Sequence, residues 1–456
     1  MPSKIPREEI GIVIRLFLYC LMTGASYTLS KTAADSLFLS RIGPKSLPAT
    51  LLFAGVVTAV LATLWLTFFR RFKIEKFLGS TCFVIGLLFL TTWWMLPRYH
   101  HSFDFLTIIF ILAEVKGCLY AINVVSSMNE MMGSKSSRTS WAIILLGFPI
   151  SSIVIGLLVG IESAAWGTGT WLLVAGIIDL TAGFSTIGIS KHTLPSSSKQ
   201  EDISEEIAQA TLPLAKYAIK TSFANWFSVL VAAKVIVLTI IAYKWRVSVS
   251  DFFEAKENSL ATFFGYFYAV SGFATLFIQF AVTGRLLSKK RVVVPILVLP
   301  VALLFLNLLF IVGAGITFLF VVSTISKSMD IWRRSTDSTA VHLLYTNIER
   351  KRRRGLIGRN HALIKPIAEI AASLILLPAM LMLENSVLIL ASVLWLYATL
   401  KVIGVVKVIR KRKKKRKKQL KKEKKKMKKL KKKKEQEAEA AAAGADTSES
   451  NSTPLT

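Results

Sequence analysis

Long apolar stretches alternate with short polar or basic stretches along nearly the whole chain. Twelve of the apolar stretches are long enough for an α-helix to cross a bilayer, which takes about 20 residues. The predicted spans are 11–33, 47–69, 77–97, 103–126, 140–161, 170–190, 221–244, 261–284, 293–313, 315–337, 361–383 and 386–408. Because a helix satisfies its own backbone hydrogen bonds, this pattern predicts an all-α polytopic membrane protein.

The composition strengthens this prediction. The chain has 456 residues, of which 53% are hydrophobic, and a mean hydropathy of +0.53. The first apolar run contains Arg15 and follows no small-residue cleavage site, so we interpret it as a retained span. The cysteines Cys20, Cys82 and Cys118 all lie in apolar runs, which argues against a disulfide framework. The spacing of the histidines suggests no metal site, and we expect no cofactor.

One segment interrupts the apolar pattern. Residues 191–220 are Ser-rich and then acidic, and they contain no apolar run of spanning length. We predict a central cytoplasmic loop there, between an N-terminal six-helix half (1–190) and a C-terminal six-helix half (221–408). Residues 409–456 are predicted to form a disordered polybasic tail with an Ala/Ser/Thr-rich end.

Basic residues mark alternate connections between the spans. They cluster after the second, fourth, eighth, tenth and twelfth spans, so the positive-inside rule predicts that both termini are cytoplasmic. We predict a bacterial inner membrane, with the plastid envelope as the alternative. The clusters occupy equivalent places in the two halves, which is the plan of a twelve-span major-facilitator-type bundle. A twelve-span channel subunit or lipid-handling enzyme would share the number of spans.

The net charge of +31 is concentrated in the tail. Glu423 is the only acidic residue between Lys407 and Lys434. We predict that this segment contacts anionic lipid headgroups. Non-specific contact with nucleic acid or acidic proteins is the alternative, although the segment lacks aromatic residues for base stacking. We predict a monomer.

Ionisable residues away from the span ends concentrate in the first and fourth spans of each half. Such charges are costly in lipid and favour a hydrophilic cavity between equivalent helices. The predicted substrate-binding residues are Lys31, Asp35, Glu114, Lys116, Asn123, Asn225, Lys234, Lys327 and Asp330.

The tenth span carries a charged stripe. Its residues Lys327, Asp330, Arg334 and Asp337 share one face at helical spacing. We assign the deeper Lys327 and Asp330 to the cavity. Arg333, Arg334 and Asp337, near the cytoplasmic end, are predicted to form a gate.

Structural alternatives remain open for three of these features. Lys31 and Asp35 are four residues apart, as in a pair that reaches water at the extracellular end. Lys116 points away from Glu114, and its stripe could simply pack against a neighbouring helix. Asp179 in the sixth span could serve only as a helix-packing hydrogen-bond partner.

Four stretches resemble the ATP/ADP translocase-like family, the nucleotide transporters of plastids and intracellular bacteria with their bacterial relatives. They are 31–43, 113–117, 263–287 and 342–345, and the similarity runs from about residue 15 to 385. The resemblance implies a major-facilitator fold and exchange of ATP for ADP and phosphate. Of four charged positions typical of nucleotide exchangers, this chain keeps Glu114, whereas Ala34, Ala242 and the pair 341–342 stand at the others.

Together these features predict a secondary active transporter that works by alternating access. We expect an ATP:ADP antiporter-like carrier of a nucleotide or another phosphorylated or anionic metabolite. The alternatives are a major-facilitator carrier of an unrelated small solute (a peptide, drug or ion) and a membrane scaffold that presents the basic tail. The chain carries no phosphate-binding glycine loop, nucleophile triad or paired-carboxylate site, so we do not predict an enzyme.

Overall fold

The computed structural model describes residues 7–69, 74–131, 143–186, 214–283, 293–313, 315–337, 340–341, 344, 360, 364–377, 384–408 and 427. The regular elements in these ranges are helical. The longer helices are α1 Arg7–Arg41, α2 Leu47–Phe69, α3 Ile74–Tyr99, α4 Phe103–Met131, α5 Gly147–Trp166, α6 Thr168–Ser185, α7 Leu214–Phe252, α8 Glu257–Ile278, α9 Val293–Leu309, α10 Gly315–Trp332, α11 Lys365–Ile375 and α12 Glu384–Val408.

The prediction of a polytopic membrane bundle is confirmed. Within the described ranges, nine helices are long and apolar enough to cross a membrane. These helices correspond in order to nine of the twelve predicted spans, the first eight and the last, and the chain is a multi-pass membrane protein. The membrane that it occupies and the cytoplasmic placement of its termini stay predictions.

Two helices extend well beyond their predicted ends. The first span was expected to end at residue 33, but α1 continues through Asp35 to Arg41. The seventh was expected at 221–244, but α7 runs from Leu214 to Phe252. Hydropathy ended both spans early because the added turns carry charges. Among these, Asp35 pairs with Arg246, and Arg41 pairs with Glu257.

The helices pack in a pattern that repeats between the first six and the last six. α1 contacts α4, α5 and α6, while α7 contacts α10 and α11. Across the two sets, α5 packs on α8 and α2 packs on α11. These two pairs exchange when α1–α6 are swapped for α7–α12, as two related repeats require.

The α5–α8 crossing is unusually close. A Cβ atom added at Gly156 would lie 2.6 Å from the backbone nitrogen of Ala269, and one at Gly265 would lie 2.7 Å from that of Gly160. Small residues allow this approach, which supplies the van der Waals contact that holds helices together in lipid. The crossing is therefore a close backbone contact between the two six-helix sets.

Two helices end in π-helical turns. Gln279–Thr283 continues α8, and Arg333–Asp337 continues α10. A π turn adds a residue to the helical repeat and rotates the side chains that follow it. The predicted single stripe on the tenth span is therefore wrong at its inner end, because Asp337 is buried whereas Arg334 is exposed.

The chain divides into two compact units, Met1–Leu400 and Lys401–Thr456. In the second unit, the described residues are the helical segment Lys401–Val408 and Met427. The predicted loop up to residue 213 and the rest of the polybasic tail lie outside the described residues. The domain boundaries and the partners of the tail stay predictions.

Candidate functional site

Two charged residues lie near the middle of the bundle. Lys31 on α1 and Glu114 on α4 are each about 15 Å from the helix ends at Arg41 and Phe103, from the rise per residue of a helix. This is about half of the 30 Å hydrocarbon thickness. Charges at this depth need partners inside the protein.

Four side chains supply these partners to one another, and we call them the charged quartet: Lys31, Asp35, Glu114 and Arg246. Lys31 Nζ lies 2.7 Å from Glu114 Oε1 and 3.0 Å from Asp35 Oδ1. Arg246 Nη2 lies 3.1 Å from Glu114 Oε1, and its Nε lies 3.3 Å from Asp35 Oδ1. Each cation thus contacts both carboxylates, and the quartet joins α1 and α4 to α7.

The quartet is buried on all but one side. The exposed fraction of the side chain is 0% for Asp35, 4% for Lys31 and 7% for Arg246, but 29% for Glu114. The ring of Phe110 lies 4.4 Å from Lys31 Nζ and 5.3 Å from the Arg246 guanidinium carbon. Glu114 is therefore the member that faces the open space of the bundle.

Arg246 is the member that sequence reasoning missed. It follows the predicted seventh span, 221–244, and would on that prediction belong to a connection. In the structure it lies inside α7, buried and directly after the buried Trp245. Charge balance could not reveal it from the sequence, because Lys116 of the fourth span offers a second cation, and only the structure shows that Lys116 pairs with Asp179 instead.

A second group of charges lies on α10. Lys327 Nζ is 2.8 Å from Asp330 Oδ2, and Arg333 Nε is 2.7 Å from Asp330 Oδ1. Arg334 is exposed and has neither a hydrogen bond nor an ion pair within the described ranges. Lys327 and Arg333 thus share one carboxylate, and Lys327 Nζ also lies 5.6 Å from the ring of Trp245, the residue before Arg246 of the quartet.

Lys234, which was predicted to bind substrate, is an ion-paired residue in the structure. Its ammonium group pairs with the carboxylate of Asp337, which joins α7 to α10. Asp337 is 2% exposed, and its pairing with Lys234 separates it from Arg333 and Arg334, with which it was grouped as a gate. This pair is neutral as a whole, so the net positive charge of this region lies on the group of Lys327, Asp330, Arg333 and Arg334.

Lys116 belongs to a separate cluster. It is fully buried, and its Nζ lies 2.8 Å from Asp179 Oδ2 of α6 and 2.5 Å from Ser26 Oγ of α1. Tyr120 donates a hydrogen bond of 2.6 Å to Asp179 Oδ1. The structure therefore favours the packing alternative for this stripe, because Lys116 and Glu114 project to different sides of α4.

The two predicted asparagines lie away from the quartet. Asn123 is buried and donates to the Tyr19 hydroxyl at 3.4 Å. Asn225 is exposed on α7, about 30 Å along the helix axis from Arg246 at the usual rise per residue. The structure thus brings Lys31, Asp35 and Glu114 together with Arg246, places Lys327 and Asp330 nearby, and leaves these asparagines apart.

The fold resembles those of solved membrane transporters. A point mutant of the nucleoside transporter NupG superimposes with a TM-score of 0.58 at 13% sequence identity, covering 86% of this chain and 99% of the other. The POT family transporter PepTSo superimposes with a TM-score of 0.56 at 8% sequence identity, covering 90% of this chain and 99% of the other. The inward-open xylose transporter XylE of E. coli superimposes with a TM-score of 0.54 at 10% sequence identity, covering 87% of this chain and 96% of the other.

Identities this low establish the fold alone, a major-facilitator-type bundle, as predicted. No family sequence model matches the chain, and no curated protein matches it in sequence. Membership of the ATP/ADP translocase-like family stays a prediction.

Proposed function

We propose that this protein is a secondary active transporter that works by alternating access and carries a nucleotide or another phosphorylated or anionic metabolite. On this proposal it binds and releases its solute without catalysing a chemical step. Exchange of ATP for ADP is the specific form that the sequence resemblance suggests.

The observation that carries the proposal is the charged quartet, which links α1 and α4 to α7 near the middle of the bundle. Buried charge is destabilising unless it is paired, and an apolar set of the same volume often packs at least as well. Intramembrane ionisable groups therefore point to solute binding by default. The similarity of the fold to transporters, among them a nucleoside transporter, supports the same interpretation.

The geometry suggests how an anion would enter this site. Lys31 and Arg246 already hold two carboxylates, so an incoming phosphate can take the place of Glu114, the most exposed member. Arginine and lysine both bind phosphate well in a desolvated site, and arginine can do so through two hydrogen bonds. Glu114, once released, could pair with the nearby Lys327 or take up a proton.

This exchange of partners also gives a reason for alternating access. The quartet connects the two six-helix sets while the carboxylates occupy it. A solute that displaces Glu114 weakens this connection and shifts the equilibrium toward a second arrangement of the helices, because it binds one arrangement better than the other.

Counterflow of labelled ATP or ADP in proteoliposomes tests the proposal, after a thermal-shift screen with ATP, ADP and phosphorylated sugars selects the solute. We expect Glu114→Gln to slow exchange at least tenfold, which corresponds to about 1.4 kcal/mol, because Lys31 and Arg246 lose a charged partner. We expect Lys234→Ala to slow it as well, because Asp337 is left unpaired.

Glu162→Gln is the matched control. Glu162 undergoes the same chemical change on α5, outside the quartet, and exchange should continue at the wild-type rate. Exchange that is unaffected by both Glu114→Gln and Lys234→Ala would falsify this site. A wild-type protein that exchanges only uncharged solutes would contradict the anionic substrate class.

A further inference from the structure

The cations of the central space are not equally available to a ligand. Lys31 and Arg246 each contact two carboxylates, and Lys234 is paired with Asp337. Lys327 and Arg333 share Asp330. Arg334 differs from these residues, since it is exposed and has no carboxylate partner in the described parts of the chain.

The π turn explains why Arg334 is placed in this way. It begins at Arg333 and turns the next residues so that Ser335, Thr336 and Asp337 are buried while Arg334 is exposed. Side chains on a helix lean toward its N-terminus, which for α10 is the direction of the bundle centre. π turns inside α-helices occur frequently at functional sites.

Arg334 lies on the part of α10 that is close to the charged quartet. It follows Asp330 by about one helical turn, and Asp330 pairs with Lys327 at 2.8 Å. Lys327 Nζ lies 5.6 Å from the ring of Trp245, the residue directly before Arg246 of the quartet.

We propose that Arg334 is the primary contact for the anionic group of the solute, and that it is not a gate residue. This inference rests on the proposed transport function and assigns the anion to the inner side of the quartet. The ligand class is a phosphate or pyrophosphate group, because a guanidinium without a carboxylate partner can offer such a group two parallel hydrogen bonds.

The test measures binding of ADP, pyrophosphate and adenosine to the full chain in nanodiscs. Arg334→Gln should weaken ADP and pyrophosphate binding on the order of tenfold or more, because a charge-assisted hydrogen bond is lost. Adenosine lacks the anionic group, so its binding should not change. Arg334→Lys should retain part of the affinity for ADP and pyrophosphate, since the positive charge remains but the bidentate hydrogen bonding of the guanidinium group is lost.

Arg98→Gln is the matched control. It removes the same charge at an exposed position, where Arg98 lies over the Trp94 ring at 4.9 Å. The Arg98→Gln variant should bind ADP and pyrophosphate as tightly as the wild type does. A loss of affinity confined to Arg334→Gln would then result from a lost local contact and not from the change in net charge.

Two results would overturn the assignment alone and leave the transport proposal standing. One is a wild type that binds ADP and an Arg334→Gln variant that binds it equally well. The other is an Arg334→Gln variant that also loses adenosine. A wild type that binds neither ADP nor pyrophosphate would overturn both proposals together.

Discussion

The buried pair of Lys116 and Asp179 shows how one residue can be essential for folding in a bundle of this kind. Both side chains are completely buried, and Phe89 lies 4.4 Å from the ammonium group. Ser26 and Tyr120 satisfy further hydrogen-bonding groups of the pair. The cluster connects α1, α4 and α6 within the first six helices, so its expected role is structural.

Lys116→Ala should lower the free energy of unfolding by about 3–5 kcal/mol, because Asp179 is left as an uncompensated buried charge. The double variant Lys116→Met/Asp179→Leu should recover most of this loss, because it removes both charges and keeps apolar volume. SDS-induced unfolding of the purified protein measures both. A double variant as unstable as the single one would contradict the ion-pair explanation.

At the scale of elements, the α5–α8 crossing depends on the absence of side chains. The backbones approach so closely that an added methyl group at Gly265 would overlap the backbone of Gly160. Neither backbone can move without shifting its whole helix. The crossing should therefore be sensitive to a small increase in volume.

Gly265→Ala should reduce the free energy of unfolding by about 1–3 kcal/mol, the usual effect of overpacking. Gly11→Ala makes the same change in α1 at a site with nothing within 4 Å, so it serves as the matched control. The free energy of unfolding of the Gly11→Ala variant should equal that of the wild type or exceed it by up to about 1 kcal/mol, since alanine favours a helix more than glycine does. Equal effects of the two substitutions on the unfolding midpoint would count against close packing at the crossing.

At the scale of the whole molecule, an ion pair joins the two six-helix sets at the end where α1 terminates and α8 begins. Arg41 Nε lies 2.9 Å from Glu257 Oε2, and Arg41 Nη1 donates to the His100 carbonyl at 3.1 Å. Both side chains are partly exposed, at 22% and 24%. On the proposed alternating-access mechanism this end of the bundle opens, and the pair would then have to separate.

Arg41→Ala should increase the population that is open at this end about fivefold, since a partly exposed pair contributes about 1 kcal/mol. Double electron–electron resonance between spin labels at the exposed positions Lys45 and Asn258 would measure the distribution of distances between the two labels. Lys256→Ala is the control, because Lys256 pairs only locally with Glu254 at 2.8 Å. An unchanged distance distribution in Arg41→Ala would show that the pair does not control opening.

The sequence alone determined the membrane class, the order of the helices and the helices that carry buried charge. These properties are local, because hydrophobic length decides whether a helix can cross a bilayer and helical spacing decides which residues share a face. Lys31, Asp35, Glu114, Lys327 and Asp330 were predicted in this way, and their role in substrate binding stays a prediction.

Only the tertiary structure decided which charges meet. Arg246 pairs with Glu114 across 132 residues of chain, while Lys116, two residues from Glu114, turns to Asp179 instead. Such pairings depend on the rotation and separation of packed helices, which the local sequence of one helix does not contain. The same turn separates Arg334 from Asp337, a rotation that regular helical spacing cannot reveal.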